Sequence, residues 1–346
     1  MLTKNVIDGH THIYDWYSAD GTDYMTLLDG IQAETGLKAL SVAALTDRIY
    51  GGADINIMAA IYKLHNPTAY AHADLFLPEY PARPPFADGL DSLTQYNELR
   101  QIGFDGFKLL YKPDVQKLIQ MRIDDPYYEP FFAAAERDHV NIVWHVADPA
   151  FCWDPSYTGA WSYRDGTYPG ADEMYRDTFA VLERHPKLNV TFAHFFFWSH
   201  QPEKLATLFE QYPNVHVDVT PNPGMYDDFT ARPDFYRDFF STYRDRILFG
   251  TDSEVPVNPH CAPRIEQICN ALITGDEIRL DRHLIRGLNL PDAVSDCVLY
   301  RNFRRACGET PRPINPSALS AYIEKYRGYI TKKTNLDPIL TFAQAL

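Results

Sequence analysis

The chain has 346 residues, 45% of them hydrophobic, and a formal net charge of -14 at pH 7. That apolar share is normal for a globular protein with a large core. The acidic balance argues against binding of nucleic acid or an anionic membrane, because both attract basic surfaces. The five cysteines form no C-x-x-C pair, a pattern that fits reduced thiols better than disulfides or a cysteine zinc site.

The sequence shows no targeting or membrane-spanning segment. No apolar run approaches the roughly 20 residues needed to cross a bilayer, and the first residues contain no signal-peptide core. We therefore expect a cytoplasmic protein that acts on a small molecule. Whether it works as a homodimer stays open at this stage.

Short apolar runs alternate with longer amphipathic segments along most of the chain. Eight runs have the length of buried strands: 6–13, 39–45, 69–77, 106–110, 141–147, 188–197, 215–220 and 247–252. The clearest helical segments between them are 130–138, 174–184 and 202–212. Strands that alternate with helices favour a parallel sheet, either open and doubly wound or closed. The count of eight favours a closed α/β fold, the (β/α)8 TIM barrel.

Two regions exceed what a minimal barrel needs. Residues 148–170 form a long loop after the fifth strand, and its Trp and Tyr content predicts an ordered segment. Residues 256–346 are predicted to contain the last barrel helix and a C-terminal helical extension, with the clearest helix at 317–326. No linker divides the chain, so we predict a single domain over residues 1–346.

Histidines and one aspartate stand at the ends of the predicted strands. His10 and His12 lie two residues apart in the first strand, so their side chains share one face and can reach one metal ion. His145 ends the fifth strand, His194 the sixth and Asp252 the eighth. The C-terminal strand ends of a (β/α)8 barrel meet at one mouth, where active sites are found. The sequence thus predicts a cluster of imidazoles and one carboxylate there.

These motifs occur in one order along almost the whole chain. They are Asp8-Gly9-His10-Thr11-His12, Gly106-Phe107-Lys108, Trp144-His145, Ala193-His194, Phe249-Gly250-Thr251-Asp252 and Asn302-Phe303-Arg304-Arg305. As an ordered set they resemble the amidohydrolase superfamily, in particular the branch of aminocarboxymuconate semialdehyde decarboxylase and related metal-dependent hydrolases. One departure is that three phenylalanines, Phe195 to Phe197, follow His194 where those relatives tend to carry glycines.

The resemblance implies a divalent ion, most often zinc, held by His10, His12, His145 and Asp252. Imidazole and carboxylate ligands suit zinc, and a catalytic zinc keeps one position open for water. One ion is expected, with a second ion as the alternative. As catalytic residues, Asp252 would contact the metal and accept a proton from the water. His194 would polarise the substrate, act as acid or base, or bind a second ion.

Lys108 has three interpretations. It stands where some relatives carry a carboxylated lysine that bridges two metals, it contacts a substrate carboxylate, or it is an ordinary barrel lysine. An acidic substrate would need a cationic partner, and Lys108, Lys112 and Arg48 are the candidates. On the seventh strand His216 and Asp218 alternate, and one of the two parities brings Asp218 near the mouth.

Aromatic residues are the candidate walls of a substrate pocket. Trp153 and Trp161 lie on the long loop, and Phe196 and Trp198 follow the sixth strand. The alternative is an aromatic lid packed on itself or on another subunit. The histidines outside the motifs look ordinary and are predicted to be solvated or capping; they are His65, His72, His139, His185 and His283.

Three functions remain at this stage. The first is a metal-dependent hydrolase that uses a zinc-activated water on an amide, lactone or related bond. The alternative is a metal-dependent, non-oxidative decarboxylase of an aromatic or muconate-like acid. The third, a metal-containing barrel without catalysis, is disfavoured because both the ligands and the base are present.

Overall fold

The computed structural model describes residues 1–46, 52–77, 89–258, 260–330 and 336–345. Within them the strands are β1 (Ile7–Ile13), β2 (Ala39–Ala43), β3 (Tyr70–Ala73), β4 (Gly106–Tyr111), β5 (Ile142–Val146), β6 (Val190–Phe192), β7 (Val215–Asp218), β8 (Ile247–Leu248), β9 (Ser253–Val255), β10 (Glu277–Leu280) and β11 (His283–Arg286). The helices are α1 (Tyr24–Thr35), α2 (Ala53–His65), α3 (Ser92–Ile102), α4 (Pro113–Ile119), α5 (Glu129–Arg137), α6 (Ala171–Arg184), α7 (Pro202–Gln211), α8 (Met225–Ala231), α9 (Pro233–Thr242), α10 (Ala262–Ile273), α11 (Asp292–Asp296), α12 (Asn302–Cys307), α13 (Pro316–Tyr326) and α14 (Leu336–Ala345). None of these described helices combines the length and apolarity needed to span a membrane.

The strands form a closed parallel barrel, as predicted. Nine strands pair in the order β8-β7-β6-β5-β4-β3-β2-β1-β9, and β8 and β9 belong to one continuous stretch of chain. The two ends of the sheet therefore meet beside β1. The backbone N–H of Gly9 donates to the carbonyl of Phe249 at 3.1 Å, and that of Asp252 donates to the carbonyl of His10 at 2.9 Å. This seam places Asp252 next to His10.

Two glycines permit the close approach at this seam. A Cβ on Gly250 would lie 2.8 Å from Cβ of His10, and one on Gly9 would lie 2.7 Å from the ring of Phe303. Real Cβ atoms do not pack this closely in well-packed interiors. The glycines of the Asp8-Gly9-His10 and Phe249-Gly250-Thr251 motifs therefore serve barrel closure.

The local sequence explains where strands and helices begin and end. All seven residues of β1 are buried, as expected for a parallel strand covered on both faces. Helix α1 begins at Asp23, whose side chain accepts from the N–H of Thr26, and ends at Gly36 with φ +79°. Helix α3 repeats the pattern with Asp91 and Gly103.

Two of the predicted boundaries are wrong. The sixth strand was predicted through residue 197, but β6 ends at Phe192, because residues 194–197 adopt left-handed backbone angles that no strand accepts. The region after residue 256 is not wholly helical, since β10 and β11 form an antiparallel hairpin of largely exposed residues. Each strand has only four residues, which is too short for a clear periodic signal.

Buried polar contacts attach the C-terminal region to the barrel. The side-chain amide of Asn302 donates to the carbonyls of Arg244 and Ile247, at 2.6 and 2.7 Å, and so supports the start of β8. At the opposite side, the carboxylate of Asp105 accepts from Lys63 Nζ at 2.5 Å and from the backbone N–H of Arg312 at 2.7 Å.

Candidate metal centre

Three side chains converge at the carboxyl end of the barrel. His10 and His12 point from the same face of β1, and Asp252 follows β8. The Nε2 atoms of His10 and His12 lie 3.1 Å apart. Oδ1 of Asp252 lies 3.2 Å from Nε2 of His12 and 3.6 Å from Nε2 of His10. In the described part of the chain, these three residues form the group of His, Cys, Asp and Glu side chains close enough to share one metal ion.

The donor set fits a divalent cation. Nδ1 of His10 lies 2.8 Å from a carboxylate oxygen of Asp218, and Nδ1 of His12 lies 2.6 Å from the carbonyl of Ala43. Both partners are acceptors, so each Nδ1 carries the proton and each Nε2 presents a lone pair. Two lone pairs and a carboxylate that face each other favour a cation among them, a place that suits a divalent ion and that the ammonium group of Lys108 borders at 2.9 Å from Nε2 of His10. Ligands about 2.1 Å from a tetrahedral zinc are about 3.4 Å apart, which matches these separations.

Two buried carboxylates hold the cluster in place. Asp218, at the end of β7, accepts from Nδ1 of His10 and from the backbone N–H of His194 at 2.8 Å. Asp8 accepts from the backbone N–H of His10 at 3.2 Å and from the hydroxyl of Thr251 at 2.5 Å. Burial raises the pKa of Asp8 to about 6, and burial also raises the pKa of Asp218. Such outer partners orient metal ligands and set their basicity.

Asp8 has a role that its motif, Asp8-Gly9-His10, does not by itself indicate. The alternation of Asp8, His10 and His12 along one face of β1 was the available signal. Of the two possible orientations of β7, the structure shows the one that places Asp218 at the mouth.

Lys108 lies inside the same cluster. Its side chain is 1% exposed, and Nζ lies 2.9 Å from Nε2 of His10. Burial lowers the pKa of Lys108 to about 8, although Asp252 and Asp218 oppose that shift by favouring the charged form. An ammonium group therefore stands directly beside the proposed ligands. Whether Lys108 bridges metals, contacts a substrate carboxylate or is an ordinary barrel lysine stays a prediction.

His145 and His194 both reach the mouth but lie outside the three-residue group. Nε2 of His145 is 2.9 Å from the carbonyl of Ala147 and 3.4 Å from Asp148. Ligation of a metal by His145 stays a prediction. Nε2 of His194 lies 3.9 Å from Oδ2 of Asp252, and burial lowers the pKa of His194 to about 4. His194 is therefore a neutral imidazole near pH 7, suited to accept a proton or donate a hydrogen bond.

Asp252 is the most accessible member of the cluster, with its side chain 29% exposed. Burial raises its pKa, but the hydrogen bond with His12 and the nearby His10 and His194 outweigh burial and lower the pKa well below its usual range. The carboxylate is thus charged near neutral pH. Its position at the cavity suits both metal ligation and proton transfer.

A cavity of about 240 Å³ opens beside the cluster. Residues from the barrel and from the long loop after β5 contribute to its lining, including His12, Lys108, Lys112, Trp161, Phe197 and Asp252. Nζ of Lys112 lies 4.9 Å from the ring centre of Trp161, a cation–π contact. The cavity therefore combines aromatic walls with two lysines near the candidate metal ligands.

The predicted aromatic walls are partly misplaced. Trp153 does not line this cavity, and its indole N–H donates to the carbonyl of Pro169 within the loop. Trp198 lines a neighbouring groove instead, and Phe196 is fully buried in a stack on Phe192. Trp161 is the loop tryptophan that reaches the cavity. Arg48, a candidate cation, lies outside the described residues.

The turn after β6 has an unusual backbone. His194, Phe195, Phe196 and Phe197 have φ of +57°, +56°, +57° and +53°. Left-handed angles cost non-glycine residues about 1–2 kcal/mol each. Aromatic packing compensates: Phe196 stacks on Phe192 at 4.0 Å between ring centres, and Phe195 packs on Phe229 at 5.3 Å. Glycines would adopt these angles without strain. In this chain, side-chain packing stabilises the turn instead.

A parallel (β/α)8 barrel with a His, His and Asp cluster at the carboxyl ends of its strands has the architecture of a barrel metalloenzyme. The amidohydrolase family profile matches residues 7–306, so the chain belongs to the amidohydrolase family. The expected family resemblance is confirmed. Comparison with curated proteins found no significant match.

Several solved structures share the fold. A TIM-barrel protein from Bordetella bronchiseptica is 15% identical, with a TM-score of 0.57 over 88% of this chain and 98% of that one. The 5-carboxyvanillate decarboxylase from Sphingomonas paucimobilis is 14% identical, with a TM-score of 0.51 over 88% and 98%. The 2,6-dihydroxybenzoate decarboxylase from Rhizobium is 16% identical, with a TM-score of 0.50 over 86% and 98%.

Proposed function

We propose that this amidohydrolase-family protein is a metal-dependent, non-oxidative decarboxylase of a small aromatic or similarly conjugated carboxylic acid. The observation that carries the proposal is the position of Lys108. Its ammonium group lies 2.9 Å from Nε2 of His10, inside a cavity of about 240 Å³. A buried cation beside metal ligands provides a binding place for an anionic substrate group.

Different residues of the cavity bind different parts of the substrate. Lys108, at the metal end, pairs with the carboxylate or with an adjacent oxygen of the substrate. Lys112 brings a second positive charge, with Asp114 at 3.6 Å and Asp148 at 3.8 Å as its counter-charges. The rings of Trp161 and Phe197 supply flat apolar surface to a conjugated substrate. A bound divalent ion would add Lewis-acid polarisation of substrate oxygen atoms.

The reaction needs one proton and no oxidant. The bond between the carboxyl carbon and the substrate breaks, its electron pair stays on the substrate carbon, and that carbon takes up a proton as carbon dioxide leaves. The proton comes from solvent, because Asp252 is charged and His194 is neutral near pH 7. We assign its delivery to His194, which lies 3.9 Å from Asp252 at the cavity and passes a proton from water to the substrate carbon.

Two of the similar structures support this choice of reaction, because both are decarboxylases of ring-bearing carboxylic acids by name. Their sequence identity to this chain, 16% and 14%, supports a shared fold and does not identify the substrate. The specific substrate therefore rests on the cavity. We assign zinc as the metal because two imidazoles and a carboxylate are donors that suit it.

A hydrolase is the second candidate, and the exposure of Asp252 favours it. With 29% of its side chain accessible, Asp252 can accept a proton from a water molecule in the cavity. A hydrolase would use the same metal ligands on an amide or lactone bond. The two candidates differ in the product: a decarboxylase releases carbon dioxide, whereas a hydrolase consumes water and releases none.

The test is an assay of the zinc-loaded protein with a panel of hydroxybenzoic and unsaturated dicarboxylic acids, and in parallel with lactones and amides. We expect carbon dioxide release with at least one acid and none with the neutral compounds. Lys108→Met should lower kcat/KM at least 100-fold while zinc remains bound. Lys187→Met, at an exposed position, is the matched control.

Hydrolysis of lactones or amides without carbon dioxide release from any acid would contradict the proposal and favour the second candidate. Full activity of Lys108→Met on a confirmed acid would show that Lys108 does not bind the substrate.

A further inference from the structure

Two hollows meet at one side chain, Phe197. The cavity at the metal centre holds about 240 Å³, and a groove between α6 and the start of α7 holds about 600 Å³. Phe197 and Asp148 line both of them. His194 lines the metal-centre cavity and stacks on the ring of Phe197. Phe197 therefore stands between the two hollows, together with Asp148, and its ring is the larger part of their partition.

The ring of Phe197 is held firmly in place. Phe197 is 7% exposed. Its ring stacks on His194 with centres 5.1 Å apart and meets His145 edge-on at 5.3 Å. Its backbone has φ +53° and belongs to the left-handed turn that the neighbouring phenylalanines stabilise. Rotation of the ring into either hollow would give up these contacts, so the partition stays closed.

The walls of the groove are aromatic and rest on the same turn. Trp198 lies 5.2 Å from Tyr175 and 6.0 Å from Phe179 between ring centres. The hydroxyl of Tyr175 donates to the carbonyl of Phe196 at 3.1 Å. Charged residues of both signs line the groove: Asp148, Asp172, Arg176, Glu183 and Lys204. Such a groove suits an apolar or aromatic group rather than a second ionic group.

We propose that Phe197 is a specificity-determining residue that limits the substrate to a single ring or an open chain of similar size. The metal-centre cavity is smaller than the roughly 300–1,000 Å³ of typical sites for drug-sized ligands. An acid with a second ring would need the space of the groove, and Phe197 closes the way to it. The inference rests on the proposed function, because it assumes that the substrate acid enters this cavity.

The test measures binding of four probes to the zinc-loaded protein by calorimetry. Two are acids, benzoate and biphenyl-4-carboxylate, and two are the corresponding neutral amides, benzamide and biphenyl-4-carboxamide. We expect the wild type to bind benzoate at least tenfold more tightly than the biphenyl acid. Phe197→Gly removes the ring and suits the left-handed backbone. In this variant the preference should fall below threefold. Phe197→Leu keeps a bulky side chain and should retain the wild-type preference.

A tenfold preference that survives in Phe197→Gly, or in Phe197→Ala where the glycine variant does not fold, would overturn the inference. The amides separate it from the proposed function. If the amides show the size preference and neither acid binds, the acid substrate is wrong while the partition stands. If no probe binds the wild type or the glycine variant, both proposals are wrong.

Discussion

Oδ2 of Asp218 accepts a hydrogen bond from Nδ1 of His10 at 2.8 Å, and both side chains are at least 97% buried. This bond fixes the tautomer of His10 and directs its Nε2 lone pair at His12 and Asp252. A carboxylate partner also makes an imidazole a stronger metal ligand. Asp218 therefore supports the candidate metal centre from outside the group of His10, His12 and Asp252.

Replacement of this carboxylate should weaken metal binding. In Asp218→Asn the amide keeps the size of the side chain but loses the charge that supports His10. We expect zinc affinity to fall about 10- to 100-fold, measured by competition with a fluorescent chelator. Asp234→Asn, with a side chain that is 92% exposed, is the control and should bind zinc like the wild type. Equal affinities in the two variants would refute the orienting role.

Gly250 should tolerate no side chain. The Cβ of Gly250→Ala would lie 2.8 Å from Cβ of His10, at the seam where the barrel closes. We expect a loss of about 1–3 kcal/mol of unfolding free energy and weaker zinc binding, measured by urea denaturation and chelator competition. Gly30→Ala, in α1 with open space around it, should instead gain up to about 1 kcal/mol. A neutral effect at Gly250 would show that the seam can relax.

His72 should make the fold sensitive to acid. Burial lowers its pKa to about 3, and its ring atoms contact Ser41 at 2.8 Å and Asn141 at 3.3 Å. At pH values between this pKa and the ordinary value of about 6.5, His72 is protonated in the unfolded chain but not in the folded chain. Stability therefore falls as the pH drops from about 6.5 toward 3, with about 3 kcal/mol lost at pH 4 from this group.

The measurement is urea denaturation between pH 7 and pH 4 for the wild type and His72→Gln. The variant should show a shallower fall of unfolding free energy with decreasing pH, by the equivalent of about one proton. Parallel curves for the two proteins would mean that His72 is not the group that titrates.

The buried pair of Lys63 and Asp105 should be costly to break from one side. The carboxylate accepts from Lys63 at 2.5 Å and from the backbone N–H groups of Ala71 and Arg312, at 2.8 and 2.7 Å. Lys63→Met leaves a buried charge without its partner, and we expect a loss of about 3–5 kcal/mol. The double variant Lys63→Met with Asp105→Leu should recover part of it in thermal unfolding. A double variant no more stable than the single one would show that the backbone contacts of Asp105 matter more than its charge pair.

The strand order and the three-residue cluster were predictable because both follow from simple periodicities. His10 and His12 share a face in any strand, and parallel strands of a barrel present their carboxyl ends at one mouth. The hairpin of β10 and β11 escaped prediction because each of its strands has only four residues, most of them exposed. His72 was predicted in a connecting or solvated position, whereas it lies buried in β3. The polar partners that allow this are distant in sequence: Ser41 lies in β2, and Asn141 directly precedes β5.

The amino-acid sequence alone determined the barrel, the family and the convergence of His10, His12 and Asp252 at one mouth; ligation by His145, predicted with them, stays a prediction. These depend on residue type and on spacing along single strands. The tertiary structure decided the partners of the ligands and the shape of the cavity. Asp218 meets His10 across 208 positions of sequence, and Trp161 rather than Trp153 reaches the cavity because the path of the loop selects it. Contacts between distant segments depend on how whole elements pack, which no local pattern encodes.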